Sequence, residues 1–227
     1  LVFKGRKGYS TRRRPEIDAL ITARSAAIER GRKQHILLGH QLWSGAFPGL
    51  GLHSLLALPS LVDPETVADG GLMIDGGYGS LVVIAQQIVE NRYEDGFSSF
   101  LNNKNVNTTL PGPTPLAFTA GFLPEIGRHP QGSLILMGIY GPESLLWTEG
   151  AASQGAHIFA ATGTIASQAA LFSSVRDSLL GEEIFALPGA LEPTSSNQAG
   201  WLTEDILRIV LMLFLTAAAI LKIVGIL

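Results

Sequence analysis

The sequence predicts an α/β fold, in which helices cover both faces of a largely parallel, Rossmann-like sheet, followed by a C-terminal transmembrane helix. Two observations carry this prediction. Short apolar runs, typical of buried strands, alternate with segments whose apolar residues recur at the helical period. The last 22 residues, 206–227, contain only two charged side chains, those of Arg208 and Lys222.

The first half of the chain predicts three helices and two strands. Pro15 suits the first turn of a helix, an apolar stripe follows it, and Gly31 closes the segment. Pro59 is expected to stop the second helix. The predicted helices lie at 15–30, 52–58 and 78–93, and the predicted strands lie at 34–39 and 72–75.

The second half shows the alternation most clearly. Residues 97–115, rich in Asn and Pro, predict a long surface loop. A helix is expected at 116–127, interrupted or ended at Pro124. Strands are then predicted at 133–140 and 156–161, helices at 142–149 and 165–175, and a final strand or short helix at 178–187. Three regions result: a basic juxtamembrane segment at 1–14, an α/β domain at 15–200 and the transmembrane helix at 201–227.

The C-terminal segment predicts a minimal membrane span. Its uncharged run, 209–221, has 13 residues, which cover roughly 20 Å of a hydrocarbon core about 30 Å thick. The whole segment spans if Arg208 and Lys222 reach the two interfaces. The alternatives are a buried core helix and a helix that docks on a partner subunit.

The start of the chain is basic. Its cations are Lys4, Arg6, Lys7, Arg12, Arg13 and Arg14. A basic cluster beside a membrane segment marks the cytoplasmic side, so we expect the domain on that side of the cell membrane. A solvated arm and a nucleic-acid patch are the alternatives. The net charge of −3 and the absence of aromatic residues among these cations argue against nucleic acid as a partner.

Composition narrows the class of protein. Charged residues make up 15% of the chain, against about 25% in typical soluble domains. This low value suggests that a membrane or partner subunits cover part of the surface, in a homo-oligomer or another membrane complex. The chain has no cysteine, which excludes disulfides, thiolate metal sites and a cysteine nucleophile.

Ligands of such a sheet bind outside the carboxyl ends of the strands, where the strand-to-helix turns meet. The turns DGGYGS, YGPES and ATGT follow three predicted strands. The candidate ligand-binding residues, with one carboxylate further along the chain, are Tyr78, Gly79, Glu143, Ser144, Glu149, Thr162 and Thr164.

Each candidate also has a structural interpretation. The glycine-rich turn could hold an anion at a helix N-terminus, but Val82 stands where a dinucleotide fingerprint has its third glycine, which favours a plain tight turn. Glu143 at a helix start is favoured by the helix dipole alone. Thr162 or Thr164 suits a helix cap.

Scattered histidines predict no metal site. His35, His40, His53, His129 and His157 show no HxH or HExxH spacing. His157 starts an apolar strand, where a hydrogen-bonded edge residue is expected rather than a ligand. The sequence indicates neither a cofactor nor a reaction, since it contains no GxSxG elbow, P-loop or kinase signature.

Residues 138–190 carry a resemblance to a known family. The matching pieces are Glu143-Ser144, Thr148-Glu149-Gly150, Gly155-Ala156, Gly163-Thr164 and Gly181-Glu182-Glu183. This stretch resembles a bacterial membrane-protein family known only as a domain of unknown function, in which a closing membrane helix likewise follows the domain. The resemblance implies a membrane-anchored α/β domain and brings no activity with it.

Two hypotheses of function follow. In the first, the chain is a membrane-anchored α/β domain that acts as a structural or assembly subunit of a homo-oligomer or a larger membrane complex. In the second, it is a small-molecule-binding protein or enzyme that uses the strand-end edge of the sheet. Whether the chain is an enzyme is left open by the sequence.

Overall fold

The computed structural model describes residues 14–40, 49–62, 71–94, 106–128, 131–192 and 195–223. The α/β part, Arg13–Leu191, is one compact unit, and the last described helix belongs to a second unit. Most of the predicted basic segment, residues 1–13, lies outside the described residues.

Strands and helices follow one another along the described chain. The strands are β1 (Lys33–Leu38), β2 (Leu72–Gly76), β3 (Val106–Thr109), β4 (Gln131–Gly138), β5 (His157–Thr162) and β6 (Asp177–Leu180). The helices are α1 (Pro15–Glu29), α2 (Leu50–Leu61), α3 (Gly79–Glu94), α4 (Pro115–Arg128), α5 (Ser144–Ala152), α6 (Ile165–Ser174), α7 (Leu187–Leu191) and α8 (Ser195–Ile223), with a 3₁₀ helix at Gly181–Ala186.

The strands form one sheet in the order β3-β2-β1-β4-β5-β6, and every pairing among the described strands is parallel. Ile36 of β1 sits at the centre, opposite Ile74 of β2 on one side and Ile135 of β4 on the other. The predicted parallel α/β sheet is confirmed. Its strand order is that of doubly wound sheets, whose connections reverse direction between the two central strands.

Each face of the sheet has its own apolar core. Successive strand residues point to opposite faces, so Ile36 and Leu38 of β1 belong to the core shared with α1, α2, α3 and α7. Leu37 faces the other way, into the core shared with α4, α5 and α6. The central strands read as continuous apolar runs because both of their faces are buried.

Two prolines do not end their helices as expected. Pro59 lies inside α2, which continues to Leu61, and Pro124 lies inside α4, which continues to Arg128. Proline removes one backbone donor and its ring crowds the carbonyl four residues earlier, so each helix continues past its proline with one backbone hydrogen bond fewer. The prediction that Pro59 stops its helix is therefore wrong, and so is an interruption at Pro124.

Two edge strands depart from the predicted pattern. β3 lies within the segment that predicts a loop, and β6 occupies only the start of the ambiguous segment, which continues as the 3₁₀ helix. Both strands have four residues. Because β3 is polar and partly exposed at the sheet edge, its sequence, VNTT, lacks the apolar run by which the central strands are recognised.

Helix α8 has 29 residues, and Arg208 and Lys222 lie on it. Its large apolar side chains are more than half exposed at residues 206, 207, 209–215 and 220. Across the described residues, no helix combines the length and the apolar character that crossing a membrane demands.

Candidate functional site

The carboxyl ends of β1 and β4 form the centre of the strand-end edge. The segments that follow these two strands remain hydrogen-bonded to each other, because the His40 amide donates to the Ile139 carbonyl at 2.9 Å. Gly39 permits this approach, since a Cβ there would lie 2.3 Å from the Ile139 nitrogen. From this point β1 leads to α2 on one face and β4 leads to α5 on the other, which makes the edge a topological switch point.

His40 lies at this switch point with its side chain 5% exposed. Its ring meets three aromatic rings edge-on, with centroids 4.7 Å from Phe118, 5.6 Å from Trp147 and 5.8 Å from Tyr140. Among the described residues, neither ring nitrogen has a hydrogen-bond partner. Burial lowers the pKa of His40, and the nearby charge of Glu143 opposes that shift without reversing it.

Glu143 faces the ring of His40. Its Oε1 lies 3.4 Å from Nε2 of His40, and the carboxylate is 12% exposed. The same oxygen accepts a hydrogen bond from the Gly141 amide at 2.8 Å. Glu143 stands at the N-terminal cap of α5, where the helix dipole favours a negative charge. A neutral imidazole and a carboxylate thus lie side by side at the strand-end edge, where both can act as hydrogen-bond acceptors.

Three of the predicted hydroxyls hold the neighbouring turns together. Ser144 donates to the Gly141 carbonyl at 2.9 Å, Thr162 to the Gly138 carbonyl at 3.0 Å and Thr164 to the Tyr140 carbonyl at 2.8 Å. Each of these bonds spans the end of β4 or the turn that follows it. These side chains lie at the same sheet edge as Glu143, and their hydroxyl hydrogens are already engaged by the backbone.

The other predicted residues divide between the edge and the periphery. Tyr78 and Gly79 follow β2 and are exposed, and the turn touches His40 through Gly77. A Cβ on Gly77 would lie 2.2 Å from Nδ1 of His40. Glu149 is exposed on α5, six residues after Glu143, which places it roughly 9 Å further along the helix axis. It does not belong to the cluster.

A second histidine–carboxylate pair lies below the edge, on the face that α4 covers. Nδ1 of His35 is 3.4 Å from Oδ2 of Asp75, and both side chains are buried. Thr109 of β3 donates its hydroxyl to Asp75, and the ring of His35 meets that of Phe122 at 5.6 Å. The hydroxyl of Tyr140 donates to the Leu37 carbonyl between the two pairs.

Neither His40 nor the His35–Asp75 pair is among the residues that the sequence predicts for the site. The sequence signal that could have indicated these residues is their position relative to the strands: His40 comes two residues after β1, and Asp75 lies at the end of β2. A polar residue at the carboxyl end of a central parallel strand falls where ligands of such sheets bind. Within the described ranges, no three His, Asp or Glu side chains gather as a metal site.

A family model matches residues 4–227, and its description is "Domain of unknown function (DUF6754)". The chain belongs to the DUF6754 family. Neither the curated proteins nor the solved structures contain a match to it. The expectation of a family known only as a domain of unknown function is thus confirmed. Since the DUF6754 match carries no information on membrane anchoring, that part of the resemblance stays a prediction.

Proposed function

We propose that this DUF6754 chain is a membrane-attached α/β domain that serves as a subunit of a homo-oligomer or a larger membrane complex, with α8 as its attachment. The observation that carries the proposal is the exposed apolar surface of α8. Consecutive apolar side chains at 209–215 are all more than half exposed. Seven successive residues cover every side of a helix, so this segment has no polar face to turn toward water.

The spacing of the two charged residues at the ends of the apolar part of α8 determines how this helix can enter a bilayer. Arg208 and Lys222 are fourteen positions apart on the helix, which corresponds to roughly 21 Å of rise. A hydrocarbon core is about 30 Å thick. The apolar part therefore enters the bilayer with long cationic side chains at its two ends, which can extend toward the headgroups. The basic residues at 4–14 add attraction to anionic lipids of the cytoplasmic leaflet.

Exposed apolar side chains on the α/β unit support the assembly part of the proposal. Leu116, Ile165 and Phe172 are more than three quarters exposed. Burial of one such side chain contributes about 1.5–3 kcal/mol. The chain is also poor in charged residues, at 15%. Contacts with neighbouring subunits would remove these side chains from water.

Flotation with lipid vesicles tests the attachment. The full chain is expected to float with vesicles of neutral phosphatidylcholine in 1 M salt, because apolar insertion is not screened. The double variant Leu211→Lys and Phe214→Lys should stay in solution. Its matched control is Leu116→Lys with Phe172→Lys, which places the same charges on exposed positions of the α/β unit and should still float.

Two results would contradict the attachment: equal flotation of both double variants, or release of the unmodified chain by salt alone. The subunit role is tested separately by light scattering of the detergent-solubilised chain. A mass that corresponds to a monomer at every concentration would rule out the homo-oligomer. Co-purification with other membrane proteins would then decide whether the larger complex exists.

A second candidate function is small-molecule binding at the strand-end edge. It is favoured by the buried imidazole of His40, whose nitrogens have no partner among the described residues and which faces the Glu143 carboxylate. Soluble fragment mixtures, followed through the ring resonances of His40 by NMR, test this role. Fragments that bind there should shift these resonances and lose affinity in Glu143→Gln. If bound fragments leave His40 unchanged, the edge is not their site.

A further inference from the structure

A concave site lies at the opposite, amino-terminal edge of the sheet. It is an open groove of about 540 Å³ between the start of α1 and the ends of α5 and α6. Small apolar side chains, among them Pro15, Ala19, Ala152 and Ala156, form much of its wall. Sites for small molecules typically measure about 300–1,000 Å³ and combine apolar walls with a few polar groups.

The polar floor of the groove is a histidine–aspartate pair. Nε2 of His157 lies 2.9 Å from Oδ2 of Asp177 and bonds to it, and both side chains are partly exposed. This bond joins the first residues of β5 and β6. It holds the carboxylate in place while Oδ1 has no hydrogen-bond partner among the described residues. The pair therefore presents an oriented acceptor to the groove.

The charges around the groove favour a cation. Helices α5 and α6 end there, and neither has a basic residue in its last turn, so their negative dipole ends lie at the groove. The first turn of α1, at the positive end of that helix, carries Glu16 and Asp18, which offset the dipole there. Arg176, which is exposed, is the one cationic residue among those that line the groove. Asp177 consequently lies beside two negative helix ends and one exposed cation.

We propose that this groove binds a small organic amine, with the ammonium group donating to Asp177 and an apolar body resting on the alanine and proline wall. His157 acts as a positioning residue that orients the carboxylate. The site is separate from the His40–Glu143 pair, which lies at the other edge of the sheet. It is also independent of the membrane attachment through α8.

Three ligands of nearly equal shape test the charge preference: benzylamine, benzyl alcohol and benzoate. Titration of the full chain in detergent, followed by NMR or calorimetry, should give benzylamine an affinity about tenfold or more above that of benzyl alcohol, with benzoate weakest. Benzoate binding as tightly as benzylamine would overturn the proposal. So would displacement of benzylamine by an equal concentration of K⁺, since the apolar body would then contribute nothing.

Substitutions locate the site. Asp177→Asn should weaken benzylamine binding about tenfold, whereas Glu125→Gln, which changes a carboxylate of α4 outside the groove, should not. Arg176→Gln should strengthen it by removing a repelling charge. Weaker benzylamine binding in Arg176→Gln would mean that this charge does not repel the ligand, and it would contradict the proposal.

Two further variants separate ligand binding from folding. Ala152→Leu adds volume at an exposed wall position, leaves the charges intact and should abolish binding with an unchanged thermal midpoint. His157→Gln can still donate to Asp177 and should retain binding better than His157→Ala. Full binding by Ala152→Leu would place the amine elsewhere, and equal binding by both His157 variants would remove the positioning role.

Discussion

The imidazole of His40 packs against the α-carbon of Gly77. A Cβ at Gly77 would come within 2.2 Å of Nδ1 and 2.9 Å of Cα of the histidine. The glycine-rich turn after β2 is therefore shaped by close packing against the end of β1. Gly79, two residues later, has open space around it.

Gly77→Ala is accordingly expected to destabilise the fold by about 1–3 kcal/mol, because the methyl group must displace both the ring and the backbone of His40. Gly79→Ala is the matched control, since its methyl group meets no atom within 4 Å. That control should be neutral or stabilise the start of α3 by up to about 1 kcal/mol. Urea unfolding measures both, and equal stabilities of the two variants would refute the packing.

Acid should weaken the fold through His40 and His53. Burial lowers the pKa of both histidines, although Glu143 opposes the shift at His40 and the Phe185 carbonyl opposes it at His53. The unfolded chain then binds protons first, below about pH 6.5. The free energy of unfolding should fall as the pH drops below that value and level off once the folded state is protonated too.

The contribution of His40 is isolated by His40→Leu. Each histidine accounts for a difference of at most one bound proton between the unfolded and folded states. One proton changes the free energy of unfolding by about 1.4 kcal/mol per pH unit. Urea unfolding between pH 7.5 and 5 should show a shallower slope in His40→Leu than in the unmodified chain, and a similar loss of slope in His53→Gln. An unchanged slope in both variants would show that neither ring resists protonation in the folded state.

Alkali should weaken the fold through Tyr140. Its phenol donates to the Leu37 carbonyl, and burial together with the charge of Asp75 raises its pKa well above the ordinary value. The folded state therefore resists ionisation, and stability should fall as the pH rises above about 10, where the unfolded phenol ionises.

Tyr140→Phe tests the same hydroxyl at neutral pH. The free energy of unfolding of this variant should fall by about 1–3 kcal/mol, because the buried Leu37 carbonyl and Met137 amide lose their hydrogen-bond partner. The loss of stability above about pH 10 should also disappear. Tyr78→Phe is the control, since Tyr78 is exposed. A Tyr140→Phe chain with unaltered alkaline stability would assign that dependence to another group.

Arg24 joins α1 to the end of α2. Its guanidinium donates to the carbonyls of Ser60 at 3.3 Å and Leu61 at 2.7 Å, and the side chain is buried. A cation at this position satisfies two terminal carbonyls and complements the helix dipole. Arg24→Met should cost about 1.5–3 kcal/mol, and Arg128→Gln on the exposed end of α4 should cost far less. Hydrogen exchange of α2 would show whether the loss is local to that helix.

The central strands and most helices could be predicted because buried elements leave strong patterns. Ile36, Leu37 and Leu38 are apolar in succession because both faces of β1 are covered. β3 could not be recognised, since an edge strand such as VNTT needs no apolar face. Pro59 and Pro124 misled the prediction because the packing of α2 and α4 on the sheet continues both helices past a residue that disfavours them.

The candidate site was only partly predictable for a different reason. Glu143, Ser144, Thr162 and Thr164 follow from the rule that ligands bind at strand ends. His40 is joined to Glu143 across two different strands, and spacing along the chain carries no trace of such a contact. His157 was expected to be a hydrogen-bonded edge residue: its bond to Asp177 confirms the hydrogen bond, whereas β5 lies between β4 and β6 and is not an edge strand. That Asp177 is the partner depends on the register of β5 and β6.

During synthesis, strand β1 lacks one of its two neighbours until roughly a hundred further residues have followed, because Ile36 pairs with Ile135. Throughout that interval the nascent chain presents an apolar strand with an unpaired edge, which is the kind of surface that mispairs or aggregates. The two halves of the sheet are thus obliged to fold together and slowly. A chain interrupted before Gln131 should depend on chaperones rather than fold as an independent half.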